Sequence, residues 1–91
     1  MKSCVVYLLK SLKDNNKYIG STINLKKRLK QHNSGEVRST KNRRPLICIG
    51  YQICSNIQEA AKLEKIYKKS SGALKRTIKN KKFIIIKRGM V

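Results

Sequence analysis

The chain has few acidic residues, a single proline, no tryptophan and one phenylalanine. Its 91 residues contain 4 Asp and Glu against 23 Lys and Arg, a formal net charge of +19. Ordinary solubility needs a net charge of only about 2 to 8, so this excess favours a polyanionic partner over a merely solvating surface. Phosphate backbones of nucleic acid are the first candidate. With 40% hydrophobic residues, the composition argues against a disordered chain.

Cysteines are also scarce, and long apolar runs are absent. The three cysteines form an odd set without a CxxC pair, which argues against a disulfide framework and a secreted protein. A zinc site formed by Cys48, Cys54 and His32 is a weaker alternative to buried free thiols. The apolar runs at 4–9 and 83–86 are too short for a signal peptide or a membrane span. We therefore expect an intracellular protein that does not contact a membrane.

Local patterns predict a small α/β domain. β-branched and aromatic residues predict strands at 4–9, 17–20 and 46–54. Capping and breaking residues predict helices from Asn24 to about Asn33, from Asn56 to about Lys69 and from about Ala73 to Lys79. The expected fold is a three-stranded, mainly antiparallel sheet flanked by helices, in the order ββαβα plus a tail. One domain should span 1–91, with its core at about 3–80 and a basic tail at 81–91, which is either an extra strand or a partner contact.

One acidic residue interrupts the apolar pattern of the second helix. At 100° per residue, Ile57, Ala60, Ala61 and Tyr67 share one side of this helix with Glu64. A carboxylate among apolar side chains needs a cation, a metal ion or a strong hydrogen-bond donor. Glu64 is therefore predicted to form a structural salt bridge to Arg28 or a lysine, or to be a functional carboxylate.

Five polar side chains follow one another in an order that is more informative than any one of them: Tyr7, Tyr18, Arg28, His32 and Glu64. The first tyrosine ends a Val-Val-Tyr run, and the second opens a Tyr-Ile-Gly run that leads into the arginine and the histidine. An Asn-Ser-Gly stretch then precedes a basic loop that ends in Lys-Asn-Arg-Arg-Pro, and Glu64 ends a Glu-Ala-Ala-Lys-Leu-Glu stretch. Over about residues 3–80 this arrangement resembles the GIY-YIG endonuclease family. It is closest to small stand-alone members similar to the nuclease domains of UvrC and the Slx-type resolvases.

The resemblance implies a metal-dependent DNA endonuclease with five site residues. Glu64 would hold one Mg²⁺ or Mn²⁺ ion, and Tyr7 would activate or orient the attacking water. A tyrosine with a pKa near 10 is a poor base at neutral pH, so neighbouring cations must assist it. Arg28 would stabilise the transition-state charge, Tyr18 would donate a hydrogen bond to the scissile phosphate, and His32 would orient or assist Tyr7.

Three positions depart from the pattern of the family. Val-Val-Tyr replaces Gly-Ile-Tyr, which keeps the tyrosine. Ser21 stands where some members carry a basic residue, and this weakens the expected phosphate contact. Asn80 is only a candidate for the late asparagine of the family.

Binding to DNA is assigned to the basic segments 26–30, 38–44 and 75–88 rather than to side chains that read bases, so little sequence preference and a steep dependence on salt are expected. The predicted contacts are Lys26, Lys27, Lys30, Arg38, Lys41, Arg43, Arg44, Lys75 and Arg76. Two alternatives are a non-catalytic nucleic-acid-binding module and a basic RNA-binding protein of ribosomal type. A targeting protein partner and the oligomeric state are left open by the sequence.

Overall fold

A four-stranded antiparallel sheet forms the centre of the computed structural model, which describes residues 4–90. The strands lie side by side in the order β2-β1-β3-β4. Their bounds are β1 (Cys4–Ser11), β2 (Lys17–Thr22), β3 (Leu46–Cys54) and β4 (Ile84–Met90). The helices are α1 (Leu25–Asn33), α2 (Ile57–Lys69) and α3 (Ser71–Lys79), and a single 3-10 turn (Lys41–Arg43) precedes β3.

The prediction of three strands was wrong, because the basic tail forms a fourth. Ile84 and Ile85 of β4 pair with Tyr51 and Gly50 of β3. Phe83, only 2% exposed, packs over Gly50 so closely that a Cβ there would lie 2.7 Å from the phenylalanine ring. The buried ring thus fixes the start of a β-branched run. The backbone groups of this run form hydrogen bonds with the outer edge of β3. With α3 and β4, the element order extends to ββαβααβ.

Side-chain caps set the starts of the helices. Asn24 accepts a hydrogen bond from the backbone N–H of Lys27, and Asn56 accepts one from Glu59, as expected for N-caps. Ser70 caps α3, so this helix begins at Ser71 and not at Ala73. Among residues 4–90, no helix is both long and apolar enough to cross a membrane.

Alternating side chains of the strands enter two separate cores. The core beneath α1 is built from Tyr7, Leu9, Leu29, Leu46 and Cys48. The core beneath α2 and α3 is built from Val6, Leu8, Ile19, Cys54, Ala60, Tyr67 and Phe83. Because Cys48 and Cys54 belong to opposite faces of the sheet, they cannot share a zinc ion with His32.

The apolar stripe of α2 is narrower than the sequence pattern suggests. Ala60 and Tyr67 are buried, but Ile57 and Ala61 are exposed, and Leu63 packs against the core in their place. The predicted grouping of Ile57 and Ala61 with the core was therefore wrong. Because its carboxylate accepts a hydrogen bond from Ser21 on β2, Glu64 lies beside this edge strand and not beneath the centre of the sheet.

Candidate active site

The site begins where the side chain of Tyr7 crosses a glycine of the neighbouring strand. Tyr7 on β1 lies directly opposite Gly20 on β2. A Cβ at Gly20 would lie 2.5 Å from Cζ of Tyr7, so only glycine leaves room for the phenol ring. The absent side chain lets the ring of Tyr7 lie over β2, the outermost strand of the sheet on this side.

A chain of hydrogen bonds continues from the hydroxyl of Tyr7. Tyr7 Oη lies 2.9 Å from Nε2 of His32, and Nδ1 of the same imidazole lies 2.7 Å from Oγ1 of Thr40. All three residues are buried. Thr40 was not identified from the sequence, since one hydroxyl in a polar basic loop gives no signal of its own. Both nitrogens of the ring have a partner, so its orientation is fixed.

Burial sets the protonation states of Tyr7 and His32. Desolvation and the nearby Arg28 guanidinium lower the pKa of His32 from 6.5 to about 4. Desolvation also raises the pKa of Tyr7 to about 12, against the opposing effect of Arg28. Imidazole and phenol are therefore both neutral near pH 7, and the Tyr7 phenol loses its proton less readily than free tyrosine does.

Arg28 and Tyr18 lie beside the Tyr7–His32 pair. The Tyr18 ring centre is 6.5 Å from that of Tyr7 and 5.2 Å from that of His32. The Arg28 guanidinium donates a hydrogen bond to Gln31 Oε1 at 3.0 Å, which holds it on this flank of α1. A cleft of about 490 Å³ opens here, between the end of β2 and α1, and its lining includes Ser21, Lys27 and Arg28.

Glu64 approaches the same strand from the opposite face. Its Oε1 accepts a hydrogen bond from Ser21 Oγ at 2.7 Å, and its Oε2 accepts one from Lys68 Nζ at 2.8 Å. The carboxylate side chain is 24% exposed. Of the two predicted salt-bridge partners, Arg28 or a lysine, the structure shows a lysine, Lys68, and this hydrogen bond raises the pKa of Lys68. Neither Ser21 nor Lys68 was assigned to the site from the sequence.

Lys68 contacts side chains on both faces of β2. Its ammonium lies 5.6 Å from the centre of the Tyr18 ring, although Tyr18 belongs to the α1 side of the sheet. Glu64 is also close enough to raise the pKa of Tyr7, after the larger effects of burial and of the neighbouring Arg28 and Tyr18. All five residues selected from the sequence therefore gather around one edge strand.

The geometry fits a hard metal ion held by one carboxylate. The other three acids make local contacts elsewhere: Asp14 with Arg43, Glu36 with Ser34 and Glu59 with Ser55. Within residues 4–90, no three His, Cys, Asp or Glu side chains form a metal cage. Mg²⁺ commonly binds through one or two carboxylates and keeps several waters, so a partly exposed Glu64 suits it.

The predicted DNA contacts do not form a single surface. Arg43 is only half-exposed and pairs with Asp14 at 3.3 Å, whereas the other eight are exposed. Lys30, Lys41 and Arg44 line a cleft of about 730 Å³ along the other flank of α1. Lys75 and Arg76 lie on α3, on the opposite face of the sheet, and Asn80 is the exposed C-cap of that helix.

Comparison with known families identifies the family of this chain. The family model of the GIY-YIG catalytic domain matches residues 3–82. The chain belongs to the GIY-YIG family. Domains of this family are typically endonucleases and generally use divalent metal ions.

Curated relatives of this GIY-YIG chain are UPF0213 proteins. One from Syntrophus aciditrophicus is 36% identical over 77 residues, which are 82% of this chain and 87% of that relative. Another from Desulfotalea psychrophila is 36% identical over 67 residues, 71% of this chain and 61% of the relative. A third from Staphylococcus haemolyticus is 38% identical over 60 residues, 65% and 72% of the two chains. No solved structure matches the chain significantly.

Proposed function

We propose that this GIY-YIG protein is a metal-dependent endonuclease that hydrolyses phosphodiester bonds in DNA. Its substrates are selected by DNA structure more than by sequence, and its activity belongs to DNA repair or recombination. The net charge of +19 supports binding to a polyanion. The observation that carries a cleavage reaction is the meeting of a tyrosine–histidine pair, an arginine and a carboxylate around the edge strand β2.

Tyr7 and His32 form the proton-accepting pair. A pKa of about 12 means that free phenolate is rare at neutral pH, so Tyr7 needs an acceptor for its own proton. His32 Nε2 is placed for that transfer at 2.9 Å, provided that Nδ1 carries the other proton and donates to Thr40. The attacking water then gives a proton to Tyr7 Oη while the tyrosine proton passes to His32. Negative charge on the bound phosphate offsets the cost of the imidazolium.

Arg28 and Tyr18 act on the phosphate. Charge builds up on the non-bridging oxygens as the water attacks, and a guanidinium offers two parallel donors to them. The bond to Gln31 already fixes the direction of the Arg28 side chain, so little ordering is required on binding. The Tyr18 hydroxyl supplies a further hydrogen-bond donor to the same phosphate.

Glu64 would hold the divalent ion, Mg²⁺ or Mn²⁺. When bound there, the ion would act as a Lewis acid toward a phosphoryl oxygen and stabilise the leaving group. Ser21 has its own part in this arrangement. Its hydroxyl donates to Oε1 of Glu64 and so orients the carboxylate, while Oε2 takes part in the exposed hydrogen bond with Lys68.

The decisive experiment compares Glu64→Gln with wild type on flap, fork, junction, single-stranded and duplex DNA in the presence of Mg²⁺ or Mn²⁺. Wild type should cleave at least one branched substrate, EDTA should stop it, and Glu64→Gln should lose cleavage while retaining most DNA binding. Glu59→Gln is the matched control, since it makes the same charge change on the exposed start of the same helix. It should cleave like wild type.

A non-catalytic nucleic-acid-binding module is the competing function. The ion pair between Glu64 and Lys68 favours it, because this pair gives the half-buried carboxylate a structural partner. If wild-type protein binds the whole panel but leaves it intact with either metal, the binding module is the correct assignment.

A further inference from the structure

We propose that Lys68 occupies the metal position on Glu64, that a divalent ion displaces it, and that the displaced ammonium then contacts the phosphate of the substrate. This inference rests on the proposed nuclease function and adds a residue to it. Lys68 lies on α2, one turn beyond Glu64, and it was found only through the geometry of the site.

The first step is an exchange of cations on one carboxylate oxygen. Oε2 of Glu64 accepts its hydrogen bond from Lys68 Nζ at 2.8 Å, whereas Oε1 is bound by the Ser21 hydroxyl. The Oε1 bond is part-buried and the Oε2 bond is exposed, so an incoming hard ion would reach Oε2. Two cations cannot share this position without strong repulsion, so metal and ammonium compete for it.

The second step follows from where the displaced ammonium can go. Lys68 has a 48% exposed side chain with a flexible four-carbon stem, so moving it breaks no core packing. The face of the Tyr18 ring already lies 5.6 Å from Nζ, toward the side of β2 that carries Tyr7 and Arg28. A cation–π contact is worth little at an exposed position, and it leaves the ammonium available to a phosphate beside Tyr18.

This arrangement would flank the phosphate with cations from both layers of helices. Arg28 belongs to α1 on one face of the sheet and Lys68 to α2 on the other. A phosphate at the edge of β2 would then be approached by one cation from each side. Metal binding to Glu64 would thus free the Lys68 ammonium, because the metal ion then balances the charge of the carboxylate.

The test measures metal binding and cleavage separately in Lys68→Met, which keeps the apolar stem and removes the charge. Calorimetric titration with Mn²⁺ should show about two- to fivefold tighter binding than wild type, the range expected for loss of a partly exposed ion pair. Cleavage at saturating Mn²⁺ should fall about tenfold, since a charge-assisted contact to the phosphate is lost. Lys68→Arg should restore much of both properties.

Lys65→Met is the matched control. It removes the same charge from an exposed lysine next to Glu64 in sequence, which points away from the carboxylate by its position on the helix. If both methionine variants tighten Mn²⁺ binding equally, the effect is general electrostatics and the exchange is wrong. If Lys68→Met binds Mn²⁺ more tightly but cleaves at the wild-type rate, the phosphate contact is wrong.

Glu64→Gln separates failure of this inference from failure of the proposed function. If this variant binds Mn²⁺ as well as wild type does, Glu64 is not the metal ligand and the exchange is overturned. If wild type binds Mn²⁺ through Glu64, and Lys68→Met binds it more tightly, the exchange holds even when no DNA is cleaved. In that case the nuclease assignment and the phosphate contact fail while the cation exchange stands.

Discussion

At the scale of single residues, the site depends on a side chain that is absent. Gly20→Ala would place a methyl group in the space of the Tyr7 phenol, 2.5 Å from Cζ, and push the ring away from His32. We expect cleavage to fall about 100-fold or more, since misplacement of a reacting group by about 1 Å is enough for such a loss. Steady-state cleavage rates on the best substrate of the DNA panel provide the measurement.

Gly72→Ala is the control for this substitution. Gly72 lies in α3, where an added Cβ would meet only Ser70 Oγ at 3.7 Å. Alanine should therefore leave cleavage unchanged and stabilise the helix by about 0.5–1 kcal/mol. Wild-type activity in Gly20→Ala would show that the position of the Tyr7 ring is not limiting.

The buried imidazole predicts a stability that depends on pH. The unfolded chain protonates His32 below pH 6.5, whereas the folded protein does so only near pH 4. Between these values the unfolded state binds more protons, so the free energy of unfolding falls as the pH falls. The contribution is on the order of 3 kcal/mol. Urea denaturation at several pH values from 4 to 7 should show a weaker pH dependence in His32→Gln than in wild type; identical slopes would contradict the buried neutral state.

Residue identity and order were enough to select Tyr7, Tyr18, Arg28, His32 and Glu64 from the sequence. Their nearest partners could not be selected in the same way. Thr40 lies in a polar loop, and its contact with His32 depends on how that loop folds back. Lys68 follows Glu64 by four residues on the same helix, a spacing that favours an ion pair, but its residue type is too common in this chain to select it. A hydrogen bond between residues that are 8 apart in sequence leaves no periodic pattern, as with His32 and Thr40.

At the scale of secondary-structure elements, Asn33 fastens the end of α1 to the start of β3. Its side chain accepts from the backbone N–H of Leu46 at 2.8 Å and donates to the carbonyl of the same residue at 2.9 Å. The two bonds close the connection that carries Thr40. Asn33→Ala leaves both backbone groups without these partners and should lower the free energy of unfolding by about 1–3 kcal/mol.

Urea denaturation of Asn33→Ala and of Asn42→Ala measures how much the two Asn33 hydrogen bonds stabilise the fold. Asn42 is exposed in the same connection, so its substitution should change stability by less than about 0.5 kcal/mol. Equal effects of the two variants would show that the Asn33 bonds add no net stability. Cleavage should also fall in Asn33→Ala, because Thr40 loses its fixed place.

The boundaries of α1 and β3 could be predicted because capping residues and a β-branched run define them locally. The role of the basic tail could not. A four-residue apolar run is compatible with a strand, a helix turn or a partner contact. The tail forms the strand β4 because β3 offers an edge to pair with and because Gly50 leaves room for Phe83 to pack over it. Both are properties of the assembled sheet.

At the scale of the whole molecule, we expect charge to dominate the proposed interaction with DNA. Each phosphate that the protein neutralises should contribute about −0.9 to the slope of log affinity against log salt concentration. Basic residues lie both on the α1 side of the sheet and on α3. We therefore expect a steep slope, to which phosphate contacts on both faces of the sheet contribute. Fluorescence anisotropy with Glu64→Gln and without metal measures it from low salt upward; tight binding retained at molar salt would contradict a phosphate-based interface.

The order of the strands has a practical consequence for handling the protein. The proposed reacting groups surround β2, and β4 forms the opposite border of the sheet, about 14 Å away across three strand spacings. A fluorophore or an affinity tag attached beyond β4 would extend away from the phosphate. Immobilisation through that border therefore leaves β2 open to long DNA, and single-molecule cleavage can be followed without a tether crossing the path of the substrate.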